Sequence, residues 1–302
     1  LLGTAVSGTT LSSWSGDFIT AGFPGSNSPN FGWVSVYSYN EGTALHRDSG
    51  FVAPSSIMNP VNPGQGRMCY VGPSPITIDV TGAPGKFTKA IPVSFTSSFG
   101  ATHDGWNLVS NPYPSTIDWT AAGWTKTNMS NEIHIWNPGS QTYATFIGGV
   151  GANGGTQFIP STEGFWVKAS AAGPALSATE TTKSAVDQAF FKTTTQSQAN
   201  LLRLSLTGNG YTDEAVVYFD NNATTAIDSD FDALKLTSMN AAVPNISSLV
   251  GNDDVVINGQ PFPPAGTIVP LRTTVGVTGT YTISIDSSNS LSPATCLSLI
   301  HI

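Results

Sequence analysis

Charged residues are scarce in this sequence. Asp, Glu, Lys and Arg make up 10% of the 302 residues, against roughly 25% in an average globular domain. Only 11 of these residues are Lys or Arg, and they are scattered along a chain whose formal net charge is −8. Nucleic-acid binding requires a basic stripe or patch. The composition therefore predicts that nucleic acid is not a partner.

Long apolar runs and cysteines are scarce as well. No run approaches the ~20 apolar residues of a membrane-spanning helix, so we expect no membrane insertion in this segment. Two cysteines, Cys69 and Cys296, lie far apart, which excludes a disulfide scaffold or a cysteine-based metal site. The chain begins with Leu1 and contains no recognisable signal peptide, so we expect any secretion signal to lie outside it.

Helical periodicity is also missing, since no stretch repeats apolar residues at helical spacing over three turns. The sequence instead places 31 Gly and 20 Pro between short β-branched and aromatic runs. Many short strands separated by turn residues are typical of sandwiches and barrels. We therefore predict an all-β protein built from tandem antiparallel β-sandwich modules of the jelly-roll or Ig-like type.

An internal duplication is visible in residues 105–137, which predict a strand, a proline-rich corner, an Ile-Asp-Trp turn and a second strand. A weaker copy of this sequence segment lies at the start of the given sequence. Residues 108–112 match 1–5, residues 133–137 match 36–40, and residues 160–167 match 63–69, with Val167 in the place of Cys69. A repeat of this length indicates a duplicated domain or half-domain.

The duplication and the changes in composition suggest five segments. We predict a first β unit at 1–100 and a duplicated second unit at 101–175, the two forming either separate units or one double sandwich. A linker at 176–200 and a third β-sandwich at 201–290 follow. The tail at 291–302 departs from the preceding composition. We interpret it either as a final strand or as translated non-coding sequence.

Four aspartates form the sharpest candidate metal site. Asp228, Asp230 and Asp232 alternate along the chain, and Asp220 lies nearby. Alternating Asp is one way in which a loop presents oxygen ligands to Ca²⁺, but the Gly and the bidentate Glu of an EF-hand are missing. The alternative is a solvated acidic turn whose side chains accept hydrogen bonds from local amides. A structural calcium ion is thus the one cofactor that the sequence suggests.

Carboxylates give little indication of catalysis. Asp213 and Glu214 are neighbours on a predicted strand, so their side chains should point to opposite faces. A glycosidase needs two carboxylates that face each other across ~5–10 Å. Further carboxylates with no spacing that pairs them are Asp104, Asp118 and Glu163.

Histidines next to aspartates suggest a catalytic triad, in His46-Arg47-Asp48 and in His103-Asp104. Neither sequence has the Gly-x-Ser-x-Gly turn that exposes a serine nucleophile. Adjacent His and Asp are more typical of surface loops. We therefore predict no catalytic residues and a protein that is not an enzyme.

Aromatic residues provide the candidate ligand-binding set. Strand alternation places His134 and Trp136 on one face of a strand, and Trp166 and Lys168 on one face of another. An exposed Trp can stack on a sugar ring, because its ring face is apolar while its edge stays wet. The alternative is that both sheet faces are covered and that these rings belong to the core. The predicted partners are glycans or other surface or matrix proteins.

Two phrases carry a resemblance to a known class of proteins. Gly-Trp-Asn-Leu-Val-Ser-Asn-Pro-Tyr-Pro-Ser-Thr-Ile-Asp-Trp at 105–119 and Pro-Ser-Thr-Glu-Gly-Phe-Trp-Val-Lys-Ala at 160–169 resemble a recurrent region of large secreted Bacteroidetes proteins. Such proteins typically end in a type IX secretion sorting domain. The likeness extends over most of residues 1–290. It implies an extracellular or cell-surface location, with signal and sorting domain outside this segment, and it supplies no catalytic residues.

Composition and resemblance together lead to two functional hypotheses. The first is a non-enzymatic structural or adhesive segment of a secreted bacterial cell-surface protein. The second is a carbohydrate-binding accessory region of a secreted polysaccharide-degrading enzyme. Exposure of Trp136 and Trp166 would favour the second hypothesis.

Overall fold

The computed structural model describes residues 1–43, 46–73, 76–186, 200–264, 266–287 and 291. Strands account for 39% of the structure and helices for 5%, with no helix of seven or more residues. This confirms the all-β prediction. Cys296 and nearly all of the predicted tail lie outside the described residues, as does most of the predicted linker. None of the described helices has the length and apolar character needed to cross a membrane.

Twenty short strands follow one another in the described parts of the chain. They are β1 (Val36–Tyr39), β2 (Phe51–Val52), β3 (Met68–Cys69), β4 (Lys89–Ile91), β5 (Trp106–Ser110), β6 (Ile117–Asp118), β7 (Trp124–Thr127), β8 (Met129–Asn137), β9 (Thr142–Ile147), β10 (Val150–Ala152), β11 (Phe158–Ile159), β12 (Gly164–Ala169), β13 (Ala175–Ala178), β14 (Leu201–Gly208), β15 (Tyr211–Phe219), β16 (Ala233–Leu234), β17 (Asn245–Val250), β18 (Asp253–Gln260), β19 (Leu271–Thr274) and β20 (Thr282–Ser287). Short 3-10 helices occur at Leu11–Trp14, Glu41–Thr43, Arg47–Ser49 and Glu180–Thr182.

The chain divides into two compact units. The first comprises Leu1–Trp136 and Gln157–Lys192, and the second comprises Asn137–Thr156 and Thr193–Ile302. The segment boundaries predicted from the sequence, at 100, 175, 200 and 290, stay predictions.

The first unit contains several small antiparallel sheets. Strand β1 lies between β2 and β3, strand β12 lies between β8 and β5, and strand β13 lies between β4 and β7. Strands β6 and β11 form a separate pair. One hydrophobic core of this unit surrounds Trp14, with Leu11, Phe18, Phe23 and Val36 packed around it. The core forms because the alternating strands and the 3-10 helix at Leu11–Trp14 turn their apolar side chains to the same interior.

The predicted duplication appears in the strand pairing of the first unit. In the repeat, Leu2 corresponds to Val109 and Gln65 corresponds to Glu163. Leu2 pairs with Glu163, and its counterpart Val109 pairs with Gln65. The first segment of each copy, at residues 1–5 or 108–112, therefore pairs with the second half of the other copy.

The same correspondence holds within each copy. Leu2 pairs with Arg67, and the equivalent residues Val109 and Phe165 pair in the other copy. Between the copies, the backbone N–H of Gly66 donates to Leu108 O and that of Gly164 donates to Leu1 O, both at 3.2 Å. Each of these four segments thus pairs with two others, so the segments close into a ring with approximate two-fold symmetry.

The second unit is organised on a seven-stranded sheet in the order β19-β17-β18-β15-β14-β20, with β16 also pairing with β18. Strands β15 and β18 run parallel. Asn209 and Gly210 connect β14 to β15 with φ values of 53° and 79°, the left-handed conformations of a two-residue hairpin turn. Val150 and Ala152 of strand β10 pack with Val216 and Ile257 in the core of this unit.

Candidate functional site

Trp136 and Trp166 are buried, with exposed fractions of 9% and 3%. The Trp166 ring packs edge-to-face against Tyr39 at 4.6 Å and Phe51 at 6.0 Å between centroids. Both tryptophans therefore belong to the core. A stacking role would require a ring face that neither residue exposes in this structure.

His134 and Lys168 are buried near Trp106. His134 Nε2 lies 2.9 Å from Glu132 Oε2, and the His134 ring packs against Trp106 at 5.3 Å between centroids. Lys168 Nζ donates to the backbone oxygen of Asp104 at 2.6 Å. Burial lowers the pKa of the Lys168 ammonium, although the nearby carboxylates oppose this change. The structure thus places both residues inside the protein, where they bond to protein groups.

Three of the four candidate calcium ligands accept hydrogen bonds from backbone amides. Asp232 is buried, and its two carboxylate oxygens accept the N–H groups of Asp228 at 2.7 Å and Gly259 at 2.9 Å. Asp220 accepts the N–H of Asn222 at 2.8 Å, and Asp228 accepts that of Asp230 at 3.5 Å.

Metal binding has no assembled ligand set in the part of the chain that the structure describes, since no three His, Cys, Asp or Glu side chains there are grouped to hold an ion. The bonds of Asp220, Asp228 and Asp232 correspond to the acidic-turn interpretation, in which the side chains cap amides.

An Asp232→Ala variant should lose about 2–3 kcal/mol of unfolding free energy, because two amide donors lose their acceptor inside the protein. Urea denaturation measures this change, and Asp230→Ala, at an exposed position, serves as the control. We expect excess EDTA to leave the melting temperature of the unmodified protein unchanged. A lower melting temperature in EDTA, restored by millimolar calcium, would contradict the acidic-turn interpretation.

Asp213 and Glu214 are both engaged within the second unit. Asp213 accepts Lys235 Nζ at 2.6 Å and the N–H of Ile246 at 2.8 Å. Glu214 accepts Arg203 Nη1 at 2.7 Å. These side chains pair with different cations, and both also accept from Asn153, whose N–H donates to Glu214 Oε2 at 2.6 Å and whose Nδ2 donates to Asp213 Oδ1 at 2.9 Å.

Among the other carboxylates, Asp104 accepts the backbone N–H groups of Ser98, Phe99 and Gly100. Burial raises the pKa of Asp104, but these three hydrogen bonds outweigh burial and hold the pKa below its usual range. Glu163 is the opposite case. It is fully buried, neither of its oxygens has a hydrogen-bond partner among the described residues, and burial raises its pKa to about 8.

His46 and His103 lie together, with ring centroids 4.0 Å apart. His46 Nδ1 is 3.4 Å from Asp48 Oδ2. Burial and the neighbouring His46 lower the pKa of His103. His103 Nδ1 has no hydrogen-bond partner among the described residues, and His46 Nδ1 accepts the N–H of Asp48 at 3.3 Å.

An exposed aromatic cluster, formed by Phe31, Trp33 and Tyr70, is a feature that sequence reasoning missed. Their exposed fractions are 52%, 45% and 58%. Trp33 lies 5.3 Å from Phe31 and 5.0 Å from Tyr70 between ring centroids, with interplanar angles of 79° and 88°. All seven Trp residues lie in described parts of the chain, and Trp33 is the one that is exposed.

Backbone contacts hold the aromatic cluster in place. The N–H of Tyr70 donates to Ser35 O at 2.8 Å, and the N–H of Ser35 donates to Ala21 O at 3.1 Å. Gly22 has a φ of +80°, and a Cβ there would lie 2.3 Å from Trp33 O. A side chain at position 22 would therefore displace the Trp33 backbone. The signal in the sequence is Phe31-Gly32-Trp33, a pair of large aromatics inside a loop rich in Gly, Pro and Asn.

Comparisons with known proteins give one match. No curated protein and no solved structure matches this chain. One family's sequence profile matches residues 28–294, which span most of the chain and include all three residues of the aromatic cluster. The chain therefore belongs to the family described as Domain of unknown function (DUF8693).

Proposed function

We propose that this chain is a non-enzymatic adhesive segment of a secreted bacterial cell-surface protein, and that the aromatic cluster is its contact surface. The observation that carries the proposal is the exposure of Phe31, Trp33 and Tyr70 side by side. Aromatic residues are enriched at binding interfaces. The resemblance of residues 105–119 and 160–169 to secreted Bacteroidetes proteins supports the extracellular location.

Glycans are the ligands that suit the aromatic cluster best. A pyranose presents an apolar face of C–H groups, which stacks on an aromatic ring while the hydroxyls stay in water. Because Trp33 is nearly perpendicular to both neighbours, the cluster is a corner rather than a flat platform. A sugar would stack on one ring and contact the edge or face of the next.

The engaged carboxylates favour a non-enzymatic role. Asp104, Asp213 and Asp232 each accept at least two hydrogen bonds from protein donors. A carboxylate committed in this way holds backbone segments together and has little capacity to transfer protons to a substrate.

The same cluster also favours a second candidate function, a carbohydrate-binding accessory region of a secreted polysaccharide-degrading enzyme. The two candidates differ in what the surrounding protein does, and they share the prediction that Trp33 binds sugar. Activity of the full-length protein on the bound polysaccharide would select the accessory region.

The test is binding of the purified chain to a glycan array and to intact bacterial polysaccharides. We expect Trp33→Ala to weaken binding at least tenfold, which corresponds to about 1.4 kcal/mol. The control is Phe262→Ala, which removes an aromatic ring of similar exposure in the second unit. A chain that binds no glycan, or a Trp33→Ala variant that binds as tightly as the unmodified chain, would contradict glycan binding by the aromatic cluster.

A further inference from the structure

A second surface feature of the first unit is an open groove of about 420 Å³, which we call the Arg67 groove. Its volume falls within the roughly 300–1,000 Å³ of small-ligand sites. Side chains that line it include Val52, Pro54, Asn59, Pro60, Gln65 and Arg67. The groove thus combines an apolar wall with a set of polar groups around one guanidinium.

Arg67 has no carboxylate partner within salt-bridge distance among the described residues. Its guanidinium donates to Gly66 O at 2.9 Å, Pro60 O at 3.0 Å and Gln65 Oε1 at 3.3 Å. These acceptors are neutral, so the positive charge remains uncompensated. Burial lowers the pKa of Arg67, which means that the charged form would gain from an anion placed beside it.

Hydrogen-bond donors outnumber free acceptors in the Arg67 groove. A guanidinium has five N–H groups, and three bonds to protein acceptors leave two of them available. Asn59 Oδ1 and Gln65 Oε1 already accept protein hydrogen bonds. The amide nitrogens Asn59 Nδ2 and Gln65 Nε2 donate to no acceptor in the described chain. A ligand that supplies acceptors and negative charge fits this set.

We propose that the Arg67 groove binds a carboxylate-bearing sugar, a uronate. Arg67 pairs with the carboxylate, because a guanidinium matches the planar geometry of two carboxylate oxygens. The carboxamides of Asn59 and Gln65 donate to the carboxylate or to ring hydroxyls. The side chains of Val52, Pro54 and Pro60 contact the apolar face of the ring.

An acidic peptide fits the Arg67 groove less well than a sugar does. Binding of an extended peptide depends on backbone N–H and C=O groups along a strand edge. Pro54 and Pro60 have no N–H, and the carbonyl of Val52 already accepts Ser38 Oγ at 3.1 Å. The groove therefore offers few partners to a peptide backbone, whereas its side-chain amides suit the scattered hydroxyls of a sugar.

The decisive variant is Gln65→Glu. Gln65 Oε1 already accepts Arg67 Nη2, so the glutamate places an internal carboxylate on Arg67 without changing the shape of the side chain. We expect this variant to lose binding while its melting temperature stays equal or rises. Loss of binding with an intact fold would show that the variant affects recognition and not the structure. Arg67→Gln would not make this distinction, because it also removes the three hydrogen bonds of the guanidinium.

The experiment titrates the whole chain with glucuronate, glucose and glutamate, and follows binding by NMR. We expect glucuronate to bind at least tenfold more tightly than glucose, and Gln65→Glu to weaken glucuronate binding at least tenfold. Trp33→Ala should leave glucuronate binding unchanged, so failure of this site and failure of the aromatic cluster are distinguishable. Equal binding of glucose and glucuronate, unaltered binding by Gln65→Glu, or tighter binding of glutamate than glucuronate would each overturn the proposal.

Discussion

An Asp213→Ala variant is expected to lose about 3–5 kcal/mol of unfolding free energy, enough to unfold many domains of this size. The Lys235 ammonium lies 2.6 Å from Asp213 Oδ1, and both side chains are buried. Removal of the carboxylate leaves a buried positive charge without its counter-ion. It also removes the acceptor for Asn153 Nδ2 at 2.9 Å and for the N–H of Ile246 at 2.8 Å.

The measurement is equilibrium urea unfolding at pH 7, with Asp213→Ala, Lys235→Met and the double variant compared in one cycle. We expect the double variant to recover part of the loss, since Lys235→Met removes the uncompensated charge. It should not recover all of it, because the N–H of Ile246 remains without its acceptor. A loss below 1 kcal/mol in Asp213→Ala would show that water or another carboxylate reaches Lys235.

The strands and their duplication could be predicted from the sequence because both are recorded in local patterns. Alternation at 36–40 and 133–137 defines the strand faces, and the structure gives corresponding pairs, Val36 with Cys69 and Ile133 with Val167. The way the two copies interlock could not be predicted in this way. The pairing of Leu2 with Glu163 joins residues at opposite ends of the first unit, and no local pattern specifies such a partner.

Which aromatic residues are exposed could not be predicted from the sequence, for a related reason. Alternation shows that a strand has two faces, but it does not show whether another segment covers each face. Tyr39 and Phe51, which come from the first copy of the repeat, pack against Trp166. Trp33 presents a different difficulty. Its loop has no apolar alternation, so the sequence assigns its side chain to neither a buried nor an exposed face. An aromatic residue in such a loop is thus easily overlooked as a binding residue.

Some hydrogen bonds of the acidic turn could be predicted from the sequence, and one could not. Asp220 and Asp228 accept N–H groups two residues further along the chain, and this local capping follows from the chemistry of Asp in turns. Asp232 also accepts the N–H of Gly259 on strand β18. That bond depends on tertiary packing, so the sequence left both calcium binding and amide capping open.

Glu163 is the residue of the first unit whose ionisation should affect stability most. Both carboxylate oxygens are buried, and neither has a hydrogen-bond partner in the part of the chain that the structure describes. Burial raises its pKa from 4.5 to about 8, although the ammonium of Leu1 acts in the opposite direction. The corresponding residue of the first copy is Gln65, which shows that an uncharged side chain of the same shape is accommodated at the equivalent position of the repeat.

We therefore expect Glu163→Gln to stabilise the chain in alkaline solution and to have little effect in acid. Below pH 4.5 the carboxyl is protonated in both folded and unfolded chains, so its ionisation makes no difference. Between pH 4.5 and about 8 only the unfolded chain ionises, and each pH unit removes up to about 1.4 kcal/mol of stability. Above pH 8 the full loss of about 3–5 kcal/mol has accumulated, and the glutamine variant avoids it.

Urea unfolding at half-unit steps from pH 4 to pH 9.5 measures this difference. The stability curves of the unmodified chain and Glu163→Gln should coincide near pH 4 and separate steadily toward pH 8. Asp79→Asn is the control, since Asp79 is exposed and removal of its charge should shift stability little at any pH. If the two curves run parallel over the whole range, the Glu163 carboxylate has found a partner or water when ionised. Such a result would contradict an uncompensated Glu163 carboxyl in the folded chain, because an ionised carboxylate is retained in an apolar interior only where a partner or water compensates it.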